Sequence, residues 1–319
     1  NIPNVQTMNN RLFPAAVAMA VMFSALASCA VAQGGYPTRS IRFIVPYPPG
    51  GSTDPIARLT ATKLAERLHQ SVIVDNRPGG NTVIGTELVA RATPDGYTLL
   101  LISPAFTNTP SLIPRLAYDP VRDFAGVATM AKFRFALVVP VSSPANALQE
   151  LVALAKTKSR QLTYASSGIG SAVHLTGALF NLQLGARMHH VPYKGAAVLQ
   201  TDLIAGRVDL AFQAPINILS HVRAGRLKAL AMSGEGRLSA MPEVPTFREG
   251  GMPNFVVSAW QGIAVPKATP KQPIDRISKE VTAILGGTDV QEYLVKFGAE
   301  LFISSPMETS ALIQSDVAM

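Results

Sequence analysis

Short apolar runs and longer stretches of helical spacing take turns along most of this chain. Ile41, Phe43, Ile44 and Val45 form the first run, bounded by Pro46, and predict a buried strand. Tyr47-Pro48-Pro49-Gly50-Gly51-Ser52-Thr53-Asp54 follows, too rich in proline and glycine to continue a regular element. Beyond it Ile56, Ala57, Leu59, Ala61, Leu64, Ala65 and Leu68 recur three and four apart, with Arg58, Lys63, Glu66 and Arg67 between them. That spacing predicts a helix with one apolar face. Asp54-Pro55 predicts its start, because proline suits the first helical position and keeps the residue before it out of the α region, where a cap belongs.

The alternation then repeats. Strands are predicted over residues 72–74, 97–102, 127–131, 135–139, 162–165, 188–191, 208–212, 227–232, 255–260 and 262–265. Helices are predicted over 82–92, 147–158, 172–184, 196–205, 216–224, 274–285 and 289–297, and residues 103–114 read as an irregular, hydroxyl-rich loop. Such a sequence argues for an α/β protein, with parallel sheets covered by helices on both faces. No fixed-period repeat and no low-complexity segment accounts for it.

The loop after the first strand carries the first chemical signal. A strand, a glycine turn and a helix N-terminus leave several backbone N–H groups aimed at one spot, which the helix dipole makes attractive to an anion. Gly50 and Gly51 let the backbone approach a ligand with no β-carbon in the way. An ordinary strand-to-helix turn of an α/β protein remains the alternative. A phosphate P-loop is excluded, since no Gly-Lys-Ser/Thr closes the stretch. Ser52 is not a nucleophile elbow either, because Asp54 stands where that motif needs its second glycine. Ser166-Ser167-Gly168-Ile169-Gly170-Ser171 repeats the arrangement far downstream, between a predicted strand and a predicted helix. Two such loops suggest a cleft with an anion site on each wall, outside the carboxyl ends of the strands.

Composition narrows the classes. Residues 1–10 are polar, Arg11 is the only charge, and residues 12–27 are almost wholly apolar before Ala30-Val31-Ala32, the layout of a secretory signal peptide over residues 1–32. Cleavage after Ala32 would give a soluble chain starting near Gln33. Leu26-Ala27-Ser28-Cys29 also fits a lipoprotein box, with Cys29 lipidated; both stay open, and Met8 is a candidate natural start. Cys29 is the only cysteine, so disulfides are excluded. The formal net charge is +8, but lysines and arginines are scattered among acids, which suits anionic solutes and argues against nucleic acid. His189 and His190, neighbours on a predicted strand, point to opposite faces and cannot share a metal. His174, in the first turn after the second loop, could line the cleft or simply pack. No cluster has metal spacing, so neither metal nor cofactor is expected. Asp202 and Asp209 read as solvated or capping residues, and Phe212 and Trp260 as core.

Taken together, several stretches resemble the substrate-binding receptors of tripartite tricarboxylate transporters, the Bug family. They are residues 47–54 with Ala57-Arg58, Asp75-Asn76-Arg77-Pro78-Gly79, Pro94-Asp95-Gly96-Tyr97-Thr98-Leu99-Leu100 and Asp119-Pro120 with Asp123-Phe124. Residues 164–171 with His174-Leu175, His190-Val191-Pro192-Tyr193-Lys194-Gly195, and Asp202-Leu203 with Gly206 and Asp209 continue the likeness. Gly225-Arg226-Leu227-Lys228-Ala229-Leu230-Ala231, and Pro242 with Val244-Pro245-Thr246, complete it. It runs in order over about residues 36–310.

The resemblance implies a two-domain periplasmic binding protein-like fold of mixed, mostly parallel sheets joined by two crossing strands. Domain one would be residues 36–137 plus 258–319, and domain two residues 138–257. It implies a monomeric, non-enzymatic receptor holding a small carboxylate through backbone N–H groups and hydroxyls. Ligand contact then falls by similarity to Tyr47, Gly50, Gly51, Ser52, Thr53, Asp54, Thr107, Asn108, Ser166, Ser167, Gly168, Gly170, Ser171, His174 and Tyr193. Membrane transporter subunits are the implied partner; a sensor kinase is the alternative, and an α/β enzyme on a similar scaffold a third reading. Three departures stand out. Ile169 replaces a polar residue between the two glycines, Thr82-Val83 stands where the family is glycine-rich, and the chain stops at Met319, where the family runs on through the rest of a final helix.

Overall fold

A computed structural model describes residues 35–157, 161–296 and 298–318; the leader, Met8 and Cys29 lie outside the described residues. Asn1–Thr38 and Arg39–Met319 are two units, and the architecture here is that of the second. In chain order its elements are β1 (Ile41–Val45), α1 (Thr53–Leu68), β2 (Val72–Asn76), α2 (Val83–Ala90), β3 (Thr98–Ile102), α3 (Pro104–Leu112), β4 (Phe124–Arg134) and β5 (Ala136–Pro140). There follow α4 (Leu148–Lys156), β6 (Thr163–Ser166), α5 (Ala172–Leu184), β7 (His189–Pro192), α6 (Ala196–Ile204), β8 (Leu210–Gln213), α7 (Pro215–Arg223) and β9 (Leu227–Met232). Last come β10 (Ser258–Pro266), α8 (Lys271–Leu285), α9 (Thr288–Lys296), β11 (Ala299–Leu301) and α10 (Pro306–Ala318).

The strands make two sheets, one in the order β11-β4-β10-β3-β1-β2 and the other β7-β6-β8-β5-β9. Both are mixed. β1 runs parallel to β2 and β3, and β6 parallel to β7 and β8, as strand–helix–strand alternation requires. The remaining ladders are antiparallel and all involve β4, β5 or β10, the strands next to the crossings between sheets.

Helices cover both faces of the second sheet, and the period-2 geometry of β5 shows how. Leu137 and Val139 join a core with Leu148 and Leu151 of α4 and Phe180 of α5. Ala136 and Val138 join the opposite core with Leu199 and Leu203 of α6 and Ile218 of α7. Alternate residues of one strand therefore feed different cores, and β5 is buried along its whole length. In the first sheet Ile44, Leu100, Ile102 and Ala264 pack with Val89 of α2, Phe106 of α3 and Ile313 of α10.

The chain passes between the sheets twice. Only Phe135 separates β4 from β5, and Val257 precedes β10 on the return. Ser233 holds the two crossings together. Its hydroxyl accepts from the Phe135 N–H at 2.8 Å and donates to the Val257 carbonyl at 2.6 Å, and its own N–H reaches the Phe135 carbonyl at 2.8 Å.

Three expectations need correction. Residues 103–114 are not an irregular loop, because most of them form α3. Ser103 caps it by accepting from the Ala105 N–H at 3.3 Å, Pro104 takes its first turn, and the Thr109 hydroxyl bonds the Ala105 carbonyl at 2.6 Å. Asp54 does not cap α1 but lies inside its first turn, since its carboxylate is committed to Arg58 at 2.9 Å and Asn76 at 3.0 Å. The strands expected over 255–260 and 262–265 are one strand, β10, with register shifts that absorb the break at Gly262; Phe255 is core outside it. The short β11 had no counterpart among the expected elements, and the final helix, expected only from the resemblance, is α10.

Candidate functional site

A cavity of about 120 Å³ opens between the two sheets. Five helices begin at its wall: α1 through Ser52 and Thr53, α3 through Ser103 to Ala105, α5 through Ser171 to Val173, α6 through Gly195 and Ala196, and α7 through Ala214. Each is there because a strand ends at the cavity and the following turn reverses into a helix. Free N–H groups and the positive ends of the dipoles thus converge on one space. Phe133, Phe135 and Trp260 supply apolar wall, and Gln213, Asn217 and Gln261 supply amides. The lining contains no Asp, Glu, Lys, Arg or His.

Among the sequence-predicted residues, Tyr47, Gly51, Ser52 and Thr53 of the first loop and Ser167 and Ser171 of the second line this cavity. Gly50, Asp54, Ser166, Gly168, Gly170, His174 and Tyr193 stand outside the lining and shape the loops from behind. Asp54 anchors the first. Burial alone would push its carboxyl up, but hydrogen bonds from Arg58 and Asn76, the Arg58 charge and the Gly50 N–H outweigh it and hold the carboxyl below the usual range. Tyr47 bonds Ser103 through its hydroxyl, tying the first loop to the start of α3, and burial pushes that phenol up to about 12.

The second loop is held similarly. Ser166 accepts from the Gly168 N–H at 3.2 Å, and Ser171 caps α5 by accepting from the His174 N–H at 3.2 Å. His174 Nδ1 accepts from the Gly170 N–H at 3.0 Å, and its ring stacks on His190 with centroids 4.1 Å apart. Burial holds the His174 imidazole below its ordinary range, so it is a neutral acceptor at pH 7. The Tyr193 hydroxyl donates to Asp202 at 2.8 Å. Thr107 and Asn108 lie further along α3 than the part that reaches the cavity, and the Thr107 hydroxyl bonds the Pro104 carbonyl at 3.0 Å.

Sequence reasoning missed Gln213, Asn217, Trp260 and Gln261. Ala259, Trp260 and Gln261 are consecutive and all line the cavity, which the two-residue period of a strand does not announce; the partner strand β4 bulges beside them, with Met130 between the partners of Gln261 and Gly262. Among the described residues no group of His, Cys, Asp and Glu could hold a metal ion, and no helix is long and apolar enough to cross a membrane.

A cleft between two mixed α/β sheets, walled by helix N-termini, has the form of a binding site for an anionic solute. The family profile described as tripartite tricarboxylate transporter family receptor matches residues 56–319, and the chain belongs to that family of periplasmic binding proteins. It is similar to protein BugT of Bordetella pertussis (strain Tohama I), 35% identical over 292 residues, covering 90% of this chain and 89% of that protein. Its fold matches that of Rpa4515 of R. palustris with adipate, at TM-score 0.85 and 32% identity, over 89% of this chain and 95% of that one. MatC of Rhodopseudomonas palustris with bound malate matches at TM-score 0.83 and 30% identity, over 89% of this chain and 98% of that one.

Proposed function

We propose that this receptor captures a small organic acid, a di- or tricarboxylate or a related acid, in the interdomain cavity and delivers it to the membrane subunits of a tripartite transporter. The observation that carries the reading is the convergence of five helix N-termini on a cavity whose lining holds no charged side chain. Relatives with adipate and malate bound support it. The ligand carboxylate is held by backbone N–H groups and hydroxyls of Gly51, Ser52, Thr53, Ser167 and Ser171, with Tyr47 in the same wall, while Gly50, Asp54, Ser166, Gly168, Gly170, His174 and Tyr193 hold the loops that present them. Charge-assisted bonds of this kind are worth roughly 1.5–3 kcal/mol each, so a few suffice for micromolar affinity after the costs of association. Residues 36–137 with 258–319, and residues 138–257, act as the two domains. The protein works in the periplasm as a monomer, exported by the leader over residues 1–32.

A thermal-shift screen of mono-, di- and tricarboxylates tests this directly. A true ligand at 100 times its dissociation constant stabilises by about 2.7 kcal/mol. Gly51→Val should fold, because a β-carbon there meets only the Thr53 hydroxyl at 3.9 Å, yet it puts a branched side chain at the cavity wall and should lose the shift. Absence of any carboxylate response, or a folded Gly51→Val that responds like wild type, overturns the reading.

A further inference from the structure

The cavity contains two buried amides with unused hydrogen-bonding arms, and they come from opposite sheets. Gln213, at the end of β8, is 1% exposed; its Oε1 accepts from Asn217 Nδ2 at 3.4 Å, while its Nε2 has no hydrogen-bond partner among the described residues. Gln261, beside the register shift of β10, is 3% exposed, and its Oε1 is likewise without a partner. Buried polar groups are nearly always paired, so two open arms on facing walls of one cavity call for a ligand that fills both. Gln213 offers a donor and Gln261 an acceptor. A carboxylate can take the first but has no proton for the second, and no charged side chain lies in the lining to offset a second negative charge.

We infer that Gln213 and Gln261 are specificity-determining residues that recognise a neutral donor–acceptor group, a hydroxyl or primary amide, at the end of the ligand away from its carboxylate. This rests on the carboxylate reading above and narrows it: the preferred ligand is a hydroxy- or amido-monocarboxylate, not the simple dicarboxylate of equal length. Aromatic walls from Phe133, Phe135 and Trp260 suit an uncharged spacer between the two ends.

Calorimetry on the full chain with three matched series of three to six carbons, dicarboxylates, their half-amides and the ω-hydroxy acids, provides the test. At the best-fitting length, a half-amide or hydroxy acid should bind at least tenfold tighter than the diacid. Gln213→Leu and Gln261→Leu should bring that ratio to within threefold. Should either leucine variant fail to fold, Gln213→Asn and Gln261→Asn, which withdraw the amide by one methylene, should collapse the same ratio. Dicarboxylates binding as tightly as their partners at every length, or variants that keep the wild-type preference, overturn the inference and leave the carboxylate reading intact. If no acid of any series binds, the carboxylate reading falls and takes the inference with it.

Discussion

His190 shows how burial at a single residue reaches the stability of the whole. Its ring lies between Tyr164 and His174, with Nε2 2.7 Å from the Ser166 hydroxyl. Burial, with smaller contributions from the neighbouring His174 and His189, pushes its pKa from 6.5 down to about 4. Above pH 6.5 folded and unfolded chains both hold it neutral. Between that point and about pH 4 the unfolded chain takes up a proton that the folded one refuses, so stability falls as pH falls, and the loss levels off below. The melting temperature should therefore drop from pH 7 to about 4.5, and His190→Phe, which keeps an aromatic ring in the stack, should flatten that slope. An equal slope in the variant would place the titration elsewhere. At this scale the glycine loops were legible because glycine and proline announce turns wherever they stand. Gln213, Asn217, Trp260 and Gln261 were not, since strand residues reach a cavity only through the register of a sheet assembled from distant segments. Gly51, Ser52 and Ser171 carried their placement in local sequence; Gln261 owes its place to pairing with Ala131 of β4, beside the bulge at Met130.

Elements with strong apolar periodicity were readable, and those without it were not. α8 and α9 carry clear apolar faces and stop close to where expected. α3 is built from Pro, Thr, Asn and Ser, which favour caps and turns over helix interiors, and it exists because Phe106 is buried against Tyr118 and Phe124. β11 has only three residues, too short to show any period, and is defined by pairing with β4. The final helix, α10, is tied to the core at two points that can be watched separately. It lies on Gly126, whose N–H donates to the Ser310 hydroxyl at 3.0 Å, and a β-carbon there would come within 2.7 Å of the Ser310 nitrogen and the Thr309 side chain. Its Asp316 accepts from the Trp260 indole N–H at 2.8 Å. Gly126→Val should push the helix off β4 and cost about 1–3 kcal/mol, as overpacking usually does. Trp260 is the single tryptophan, so its emission reports the event. Urea unfolding should show the lost stability, and the native spectrum should shift to the red as the indole loses its partner. An unshifted spectrum would mean that α10 stays docked.

For the molecule as a whole, the crossings at Phe135 and Val257 are the place where the sheets can turn relative to each other, with Ser233 joined to both. The walls approach closely at two glycines. A β-carbon on Gly170 would collide with Asn81 and come within 2.6 Å of Leu112, and one on Gly195 would lie 3.0 Å from Pro48. Closure around a ligand is the expected motion for such a cleft. Small-angle scattering should show the radius of gyration falling when a tight ligand is added to wild type. Gly170→Val, at φ +79° and facing the opposite wall, should keep the larger radius with or without ligand. An unchanged radius in wild type would establish a rigid, preformed cleft. The α/β class was legible from alternation alone, whereas the mixed character of the sheets was not, because β10 pairs with strands far upstream of it. That pairing has a consequence for how the protein is made. β10 sits between β3 and β4, which do not pair with each other, so the first sheet lacks its middle strand until residues 258–266 have been synthesised. A newly made chain cannot lock its leading half early; two open strand edges wait for the last third, and loop closure over that distance is slow.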